Sequence, residues 1–294
     1  MPDPDDRPAP PPADARDDGA RVDGLARVDD DARADGDARV DGDANGGGAR
    51  PGDAFRHVPK GAGEPIRTFH PRRAPLGERR TGALERLWPR YGVSVHDPAL
   101  GLPPTGPDGT LDAARLFGRS APLVLEIGSG MGDATAEMAA ADPGRDYLAV
   151  EAHLPGIANL LVLLDERGLS NVRVAHGDAL DLVRRTVAPG SLDAVHVFFP
   201  DPWPKARHHK RRIIAPDHVA LLRSRLRVGG TLHCATDWAE YAEQMLEVVA
   251  ADPGLTNPHG GFAPRPAHRP VTKFESRGLE AGRRAHDVVA IRTV

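Results

Sequence analysis

The feature that most constrains the fold is a regular alternation of short apolar runs with longer amphipathic segments from residue 122 onward. The apolar runs have the length of strands, and the segments between them place apolar residues at helical spacing. Strands alternating with such helices favour an open, mostly parallel sheet with helices on both faces. The predicted strands are PLVLEI (122–127), YLAVE (147–151), NVRVAH (171–176), LDAVHVFF (192–199), GTLHCAT (230–236) and HDVVAIR (286–292). Helices are predicted in ATAEMAA, LPGIANLLVLLDERG, ALDLVRRTV, PDHVALLRSRL and AEYAEQMLEVV.

The chain before this α/β domain, residues 121–294, divides into two parts of different composition. Residues 1–54 carry 15 Asp and 7 Arg with neither Lys nor Glu, a net charge of −8, whereas the rest of the chain carries +4. Such an acidic, low-complexity segment with few large apolar residues is predicted to be a disordered tail. Residues 55–120 are predicted to be a basic N-terminal extension and linker. Within them, ALERLWPRYG is predicted to form a short helix ending at Pro89, and LDAARLFG a helical turn.

The composition also limits where the protein works. The chain has a single cysteine, Cys234, which excludes an intrachain disulfide and fits a reducing compartment. Because Cys234 lies in an apolar run, it is predicted to be a core residue. No apolar run approaches the roughly 18 residues that span a bilayer. A cytoplasmic protein without a membrane segment is therefore expected. Most of the 13 histidines lack the local spacing of metal ligands, so no metal site is expected.

Ligands of open α/β sheets bind at the carboxyl ends of the strands, so the residues after each strand are the candidate site. The first strand leads into EIGSGMG, in which Gly128, Gly130 and Gly132 predict a tight turn that a ligand can approach closely. This G-x-G-x-G spacing differs from the G-x-G-x-x-G of a dinucleotide site. Glu126, just before the turn, would repel a pyrophosphate but suits the ammonium group of an amino acid.

Two further acids follow the next two strands. Glu151 can accept hydrogen bonds from both hydroxyls of a ribose. Asp178 either caps a helix or accepts a hydrogen bond from the exocyclic amine of an adenine. Together with the glycine turn, these acids fit S-adenosylmethionine, which has a ribose, an adenine and an amino acid but no phosphate.

The fourth strand continues into FFPDPWPKARHHKRR, residues 198–212. Its prolines fix the backbone φ angle, which lowers the entropy cost of holding Asp201 and Trp203 in place. The residues that follow either form a solvated charge run or contact nucleic-acid phosphates, and the rigid corner beside them favours phosphate contacts. The five cations are Lys205, Arg207, Lys210, Arg211 and Arg212.

These stretches together resemble the bacterial tRNA (guanine-N7)-methyltransferases, the TrmB family. The matching segments are LEIGSGMG, VEAH, GDA, FFPDPWPKARHHKRRI, ATDWAEYAEQM and RPVTKFESRG, with a weaker match at RTFHPRR and LERLWPRYG. The resemblance implies a class I S-adenosylmethionine-dependent methyltransferase fold, which is Rossmann-like and has seven strands with the last one antiparallel. It also implies that residues 121–294 methylate N-7 of a guanine in the variable loop of tRNA.

The resemblance also implies roles for individual residues. Asp201 would be catalytic. Cofactor contacts are expected from Glu126, Gly128, Gly130, Gly132, Glu151, Asp178 and Asp201. Substrate contacts are expected from Lys205, Asp237, Thr272, Lys273, Phe274 and Glu275. RNA contacts are expected from Arg207, His208, His209, Lys210, Arg211 and Arg212.

Some alternatives stay open from the sequence. Thr236-Asp237-Trp238 also fits a helix N-cap with a buried tryptophan, and Trp203 or Phe274 either stacks on the target base or packs. The expected partner is tRNA, with no obligate protein partner, and both a monomer and a homodimer are compatible with the sequence. Other functions considered are an amino-group methyltransferase, a catalytically silent RNA-binding module and a nicotinamide dehydrogenase. The D-P-W corner, the retained acids and the glycine spacing respectively argue against these three.

Overall fold

A computed structural model describes residues 66–69, 76–280 and 282–294. The chain divides into two units, residues 1–47 and residues 48–294, and every described residue belongs to the second unit. The predicted acidic tail, residues 1–54, lies outside the described residues, as do the stretches 55–65 and 70–75 of the predicted extension.

An eight-stranded sheet forms the centre of the described unit. Its strands are β1 (Gly92–Ser94), β2 (Leu123–Ile127), β3 (Asp146–Glu151), β4 (Val172–His176), β5 (Leu192–Phe198), β6 (Leu226–Thr236), β7 (Leu255–Thr256) and β8 (His286–Arg292). Their order is β1-β4-β3-β2-β5-β6-β8-β7. Strands β1 to β6 pair in parallel, whereas β8 runs antiparallel to both β6 and β7. The predicted mostly parallel sheet with an antiparallel last strand is confirmed.

The helices lie on both faces of this sheet. They are α1 (Glu78–Tyr91), α2 (Ala113–Phe117), α3 (Asp133–Ala141), α4 (Leu154–Glu166), α5 (Ala179–Arg185), α6 (Pro216–Arg225), α7 (Ala239–Ala251) and α8 (Lys273–Glu280), with 3-10 turns at Pro98–Leu100 and Ala206–Arg211. None of the helices in the described part of the chain is both long and apolar enough to cross a bilayer.

Strand β5 shows how the two core layers form. Successive side chains of a strand point to opposite faces. Val195 and Val197 pack in a cluster with residues of α5, α6 and α7. Ala194 and Phe198 pack in a second cluster with residues of α1, α3 and α4. Because both faces of the strand are covered, five of its seven residues are apolar, and they point to both faces rather than to one.

The structure corrects the prediction that the first helix ends at Pro89. Helix α1 continues through Pro89 to Tyr91, and the chain then enters β1. The sheet has eight strands rather than the predicted seven, and β1 and β7 lie outside the six runs predicted as strands. Proline lacks the N–H that would bond to the preceding turn. The last turn nevertheless forms because Trp88 and Tyr91 are buried in the core. Tertiary packing here outweighs the local cost of a proline.

We expect Gly92→Ala to lower the free energy of unfolding by roughly 1–3 kcal/mol, the usual cost of overpacking. A Cβ atom at position 92 would lie 2.2 Å from the ring of Trp88. That ring is held in place because its Nε1 donates a hydrogen bond to the carbonyl of Leu100 at 2.8 Å. Urea unfolding followed by circular dichroism measures the change.

The matched control for this variant is Gly82→Ala in α1, the helix that precedes Gly92. A Cβ atom there meets nothing within 4 Å. Because glycine in a helix interior costs roughly 0.5–1 kcal/mol relative to alanine, this substitution should raise the free energy of unfolding. A Gly92→Ala protein as stable as the wild type would contradict the close packing of β1 against Trp88.

Candidate active site

A cleft of about 240 Å³ opens at the carboxyl ends of β2, β3, β4 and β5. Four of the predicted site residues line it: Gly128, Gly130, Glu151 and Asp201. The N-terminal extension contributes Thr68 and Phe69 to its wall. The cleft therefore lies at the edge of the sheet where a ligand was expected, and the extension forms part of it.

The glycine turn after β2 owes its shape to backbone angles that other residues rarely adopt. Gly128, Gly130 and Gly132 have φ angles of 78°, 57° and 80°. A Cβ atom at Gly132 would lie 2.5 Å from Leu160 in α4, whereas one at Gly128 or Gly130 would meet nothing within 4 Å. The first two glycines thus leave backbone open to the cleft, and the third allows α3 to pack against α4.

Glu151 is held at the cleft wall by backbone N–H groups. Its Oε2 accepts a hydrogen bond from the N–H of Gly130 at 2.7 Å. Its Oε1 accepts from the N–H groups of Ala152 and His153 at 2.7 and 2.8 Å. These three bonds orient the carboxylate at the cleft wall.

Glu126 lies beneath the glycine turn and is almost completely buried, with 2% of its surface exposed. Its Oε2 has no hydrogen-bond partner among the described residues. Burial raises the pKa of this carboxyl to about 7, and the nearby Glu151 carboxylate adds to the shift. The site therefore holds an acid whose ionised form lacks a compensating cation.

Of the two roles left open for Asp178 by the sequence, the helix cap is observed, and the adenine contact stays a prediction. Asp178 caps α5, because its Oδ1 accepts hydrogen bonds from the N–H groups of Leu180 and Asp181 at 2.9 and 3.4 Å. Both of these bonds end on Oδ1, which leaves Oδ2 available to a ligand. Burial raises the pKa of Asp178. Its neighbours Gly177 and Ala179 line the cleft.

The corner after β5 places Asp201 between two strained residues. Phe199 and Trp203 have φ angles of 50° and 46°, values that bulky residues rarely adopt. Such strain costs of the order of 1–3 kcal/mol per residue and persists only where surrounding contacts impose it. Asp201 is half-buried and lines the cleft. The stiff loop, held by the surrounding contacts, fixes its position there.

Trp203 packs inside the protein rather than facing the cleft. Its Nε1 donates a hydrogen bond to the carbonyl of Thr68 at 3.1 Å, and only 5% of its surface is exposed. The guanidinium of Arg211 lies 3.6 Å above its ring. Of the two roles considered for Trp203, stacking on the target base and packing, these contacts support packing. The side chain of Phe274 lies outside the described residues.

The two arginines at the end of the basic run make internal contacts. Arg211 donates hydrogen bonds to the carbonyls of Arg67 and Phe69 at 3.2 and 3.3 Å, which ties the extension to the corner. Arg212 has no exposed surface. Its Nε donates to the carbonyl of Pro202 at 2.8 Å, and its other nitrogens bind Glu240 and Gln244. Arg212 therefore departs from the prediction that it contacts RNA, because a fully buried guanidinium cannot reach a phosphate in this conformation.

The other members of the basic run face solvent to a greater extent. Lys205, Arg207 and Lys210 are exposed, and His208 and His209 are half-buried. Lys205 directly precedes the 3-10 turn Ala206–Arg211, and the other four residues lie within it. These are the residues of the run that can meet a phosphate backbone.

The predicted substrate residues from the C-terminal part gather around α8. Asp237 accepts a hydrogen bond from Arg283 at 2.7 Å, and its Oδ2 lies 3.3 Å from the position of a Cβ atom at Gly278. Thr272 caps α8 by accepting from the N–H of Glu275 at 3.0 Å. The alternative with a buried tryptophan after Asp237 is wrong, since Trp238 is 39% exposed.

Glu275 is buried in an ion pair. Its two oxygens accept hydrogen bonds from Arg269 at 2.6 and 3.0 Å. The same guanidinium binds both oxygens of Asp287 at 2.7 and 2.8 Å. Arg269 was not singled out by the sequence analysis, although it stands in the RPVTKFE segment. The substrate segment is therefore anchored to β8.

Gly156 is a second site residue that the sequence analysis did not single out. A Cβ atom there would lie 2.1 Å from the carbonyl oxygen of Gly130. The first turn of α4 can approach the glycine turn only because position 156 has no side chain. The signal was present in the sequence, since a glycine inside a helical pattern indicates close packing or function.

We expect the stability of the ligand-free protein to fall as the pH rises from about 4.5 to about 7, in part because of Glu126. Its native pKa of about 7 exceeds its ordinary value of 4.5, so the native state binds more protons in this window. The contribution is about 3 kcal/mol. Urea unfolding at about pH 5 and about pH 8 should show that Glu126→Gln loses this part of the pH dependence. Glu137→Gln, an exposed glutamate of α3, is the control and should retain it; equal pH dependence in both variants would contradict the assignment.

Comparison with known proteins identifies the family. A family model described as "Putative methyltransferase" matches residues 120–288. A curated tRNA (guanine-N(7)-)-methyltransferase of Streptomyces avermitilis is 51% identical over 226 residues, which cover 76% of this chain and 74% of that protein. Enzymes of the same name are 53% identical in Paraburkholderia xenovorans and 51% identical in Nitrosospira multiformis, and the match covers 76% of this chain and 82% and 93% of those proteins. The chain therefore belongs to the tRNA (guanine-N(7)-)-methyltransferase family, as its motifs predicted.

Proposed function

We propose that this protein transfers a methyl group from S-adenosylmethionine to N-7 of a guanine in the variable loop of tRNA, giving 7-methylguanosine. The observation that carries the proposal is the position of Asp201, on a strained corner that lines the cleft together with Glu151 and the glycine turn. The curated relatives, which are named tRNA (guanine-N(7)-)-methyltransferases, support methylation of tRNA guanine at N-7.

The acids around the cleft fit the cofactor. Glu151 would bind the ribose hydroxyls, and Asp178 would accept from the adenine amine through Oδ2. Glu126 would bind the ammonium group, which would provide the missing partner for its buried Oε2. Gly128, Gly130 and Gly132 would let the ligand approach the backbone. S-adenosylmethionine supplies a methyl group activated on a sulfonium.

The reaction asks for orientation and charge stabilisation rather than proton removal. N-7 of guanine has an in-plane lone pair, so no base is needed to create the nucleophile. Holding the reacting groups in line can supply up to about 7–11 kcal/mol in favourable cases. The carboxylate of Asp201 stabilises the positive charge that develops on the purine. Methylation thus depends on how rigidly the corner holds this one side chain.

Guanine would be recognised between the corner and α8. Asp237 can accept from the N-1 and amino groups of guanine, which adenine does not present in the same pattern. Lys205 is exposed beside the corner. Thr272 caps α8, and Lys273, Phe274 and Glu275 begin that helix. Since Arg269 already holds both oxygens of Glu275, we assign Glu275 the task of fixing the start of α8 beside the base.

The tRNA backbone would lie along the exposed part of the basic run. Lys205, Arg207 and Lys210 can each neutralise a phosphate, with His208 and His209 adding hydrogen bonds. No obligate protein partner is required, because all the proposed catalytic residues come from one chain. We infer a cytoplasmic location, where tRNA is modified and where the free thiol of Cys234 stays reduced.

Asp201→Asn should lower kcat by roughly 10²–10³-fold, the usual cost of removing one group that stabilises a transition-state charge. Its dissociation constant for S-adenosylmethionine should change far less. The assay uses labelled S-adenosylmethionine and tRNA lacking 7-methylguanosine, with digestion and mapping of the labelled nucleoside. Calorimetry measures cofactor binding separately.

The control is Asp217→Asn, an exposed aspartate in the first turn of α6, which should match the wild type in both measurements. Label in a nucleoside other than 7-methylguanosine would overturn the substrate assignment. Loss of cofactor affinity with unchanged kcat in Asp201→Asn would overturn the catalytic role.

Arg207→Ala should weaken tRNA binding and make the dependence of log affinity on log salt shallower by about 1, since one phosphate contact is lost. Arg227→Ala is the control, because Arg227 is an exposed arginine at the start of β6, the end of the strand away from the cleft. Filter binding at several salt concentrations measures both variants. An unchanged salt dependence in Arg207→Ala would exclude the phosphate contact.

A further inference from the structure

Three histidines that are distant in sequence meet on one face of the sheet. His196 lies on β5, its register partner His233 lies on β6, and His268 lies in the segment before α8. One ring nitrogen from each lies within 4.8 Å of those of the other two. We propose that these three histidines bind a single divalent transition-metal ion of the zinc class.

The spacing of the rings suits shared coordination. The Nδ1 of His233 and the Nε2 of His268 are 3.1 Å apart. Two nitrogens bound to one tetrahedral zinc at about 2.0–2.1 Å are separated by about 3.4 Å. A metal can therefore replace the hydrogen bond between these rings once His268 carries its proton on Nδ1, and the exchange releases no proton. The third ligand is His196, which has a ring nitrogen within 4.8 Å of those of the other two. A shift of this ring toward them completes the set.

The surroundings of His233 are those of a metal ligand. Its Nε2 lies 2.7 Å from Oδ1 of Asp287, so Nε2–H donates to the carboxylate and Nδ1 keeps its lone pair for the ion. Carboxylates commonly orient ligating histidines in this way. Asp287 is itself held by Arg269. The network fixes both the tautomer and the direction of the ring.

His196 brings a buried polar atom that is otherwise unexplained. The residue is 2% exposed and its ring stacks on those of Phe198 and His268, with centroids 5.0 and 5.4 Å apart. Its Nδ1 is buried and has no hydrogen-bond partner among the described residues. A bound ion would offset the cost of burying this ring, because metal ligation satisfies an imidazole nitrogen as a hydrogen bond to water otherwise does.

The rings are also in the protonation state that ligation needs, since only neutral imidazole binds metal. Burial lowers the pKa of His196 well below its ordinary value. Burial and the neighbouring His233 lower the pKa of His268 to about 4. Burial lowers the pKa of His233 as well, although Asp287 opposes this shift.

The site is reachable, and its place in the fold suggests a structural role. His268 is exposed and gives the ion a route from solvent, and three protein ligands leave a position for water. The ion would join β5 and β6 to the segment that carries Arg269 and leads into α8. It would thereby tether the proposed substrate segment to the sheet. This inference does not depend on the proposed reaction.

The test is a titration of the metal-stripped, full-length protein with Co²⁺, followed by visible absorption. We expect one equivalent to give the d–d bands of a low-coordinate nitrogen site. His268→Ala should weaken this binding by more than about tenfold, because losing even a hydrogen-bond partner of a ligand costs roughly 10–100-fold. His259→Ala, an exposed histidine that lies outside the cluster in the same C-terminal region, should bind like the wild type.

Circular dichroism without metal checks that both variants fold, which the exposure of both histidines favours. X-ray absorption of the wild-type Co²⁺ complex provides a readout that needs no variant, and three imidazole ligands are expected. Equal Co²⁺ binding by the wild type and His268→Ala, or the absence of d–d bands in the wild type, would overturn the proposal. So would a complex with two or fewer imidazoles.

Discussion

The buried guanidinium of Arg212 holds together the part of the molecule on which the site depends. It binds the carbonyl of Pro202 within the corner and the carboxylate of Glu240 on α7, and it lies 4.6 Å from the ring of Tyr241. A charge without exposed surface is costly unless its donors are all used. Here the donors of Arg212 fasten the corner loop to a helix of the core, and this loop contains two bulky residues with left-handed backbone angles. The strain that directs Asp201 to the cleft persists because this anchor opposes its release.

Arg269 plays the corresponding role on the other side of the site. It joins Glu275 at the start of α8 to Asp287 on β8. Burial alone would raise the pKa of Asp287, but hydrogen bonds from His233 and Arg269 lower it below its ordinary value. The carboxylate is therefore charged when the network forms. Two arginines thus fix the two segments that would enclose the target base, and neither has exposed surface with which to contact a ligand.

Several elements could be read from the sequence because their determinants are local. The six principal strands follow from apolar runs, and the cap on α5 follows from an aspartate at a helix start. The path of the chain through Pro89 could not be read in this way, because it depends on contacts of Trp88 and Tyr91 with distant residues. The same holds for Arg211 and Arg212, since a run of cations looks alike whether its members face solvent or the interior.

The sequence by itself determined the order of strands and helices, the edge of the sheet that carries the acids, and the family. Those properties rest on periodicity, on the geometry of parallel sheets and on contiguous motifs. Only the tertiary structure decided which members of each motif face the cleft and which anchor it, and it alone brought His196, His233 and His268 together. Burial and long-range hydrogen bonding depend on residues that are dozens of positions apart, and no local pattern records which of them meet.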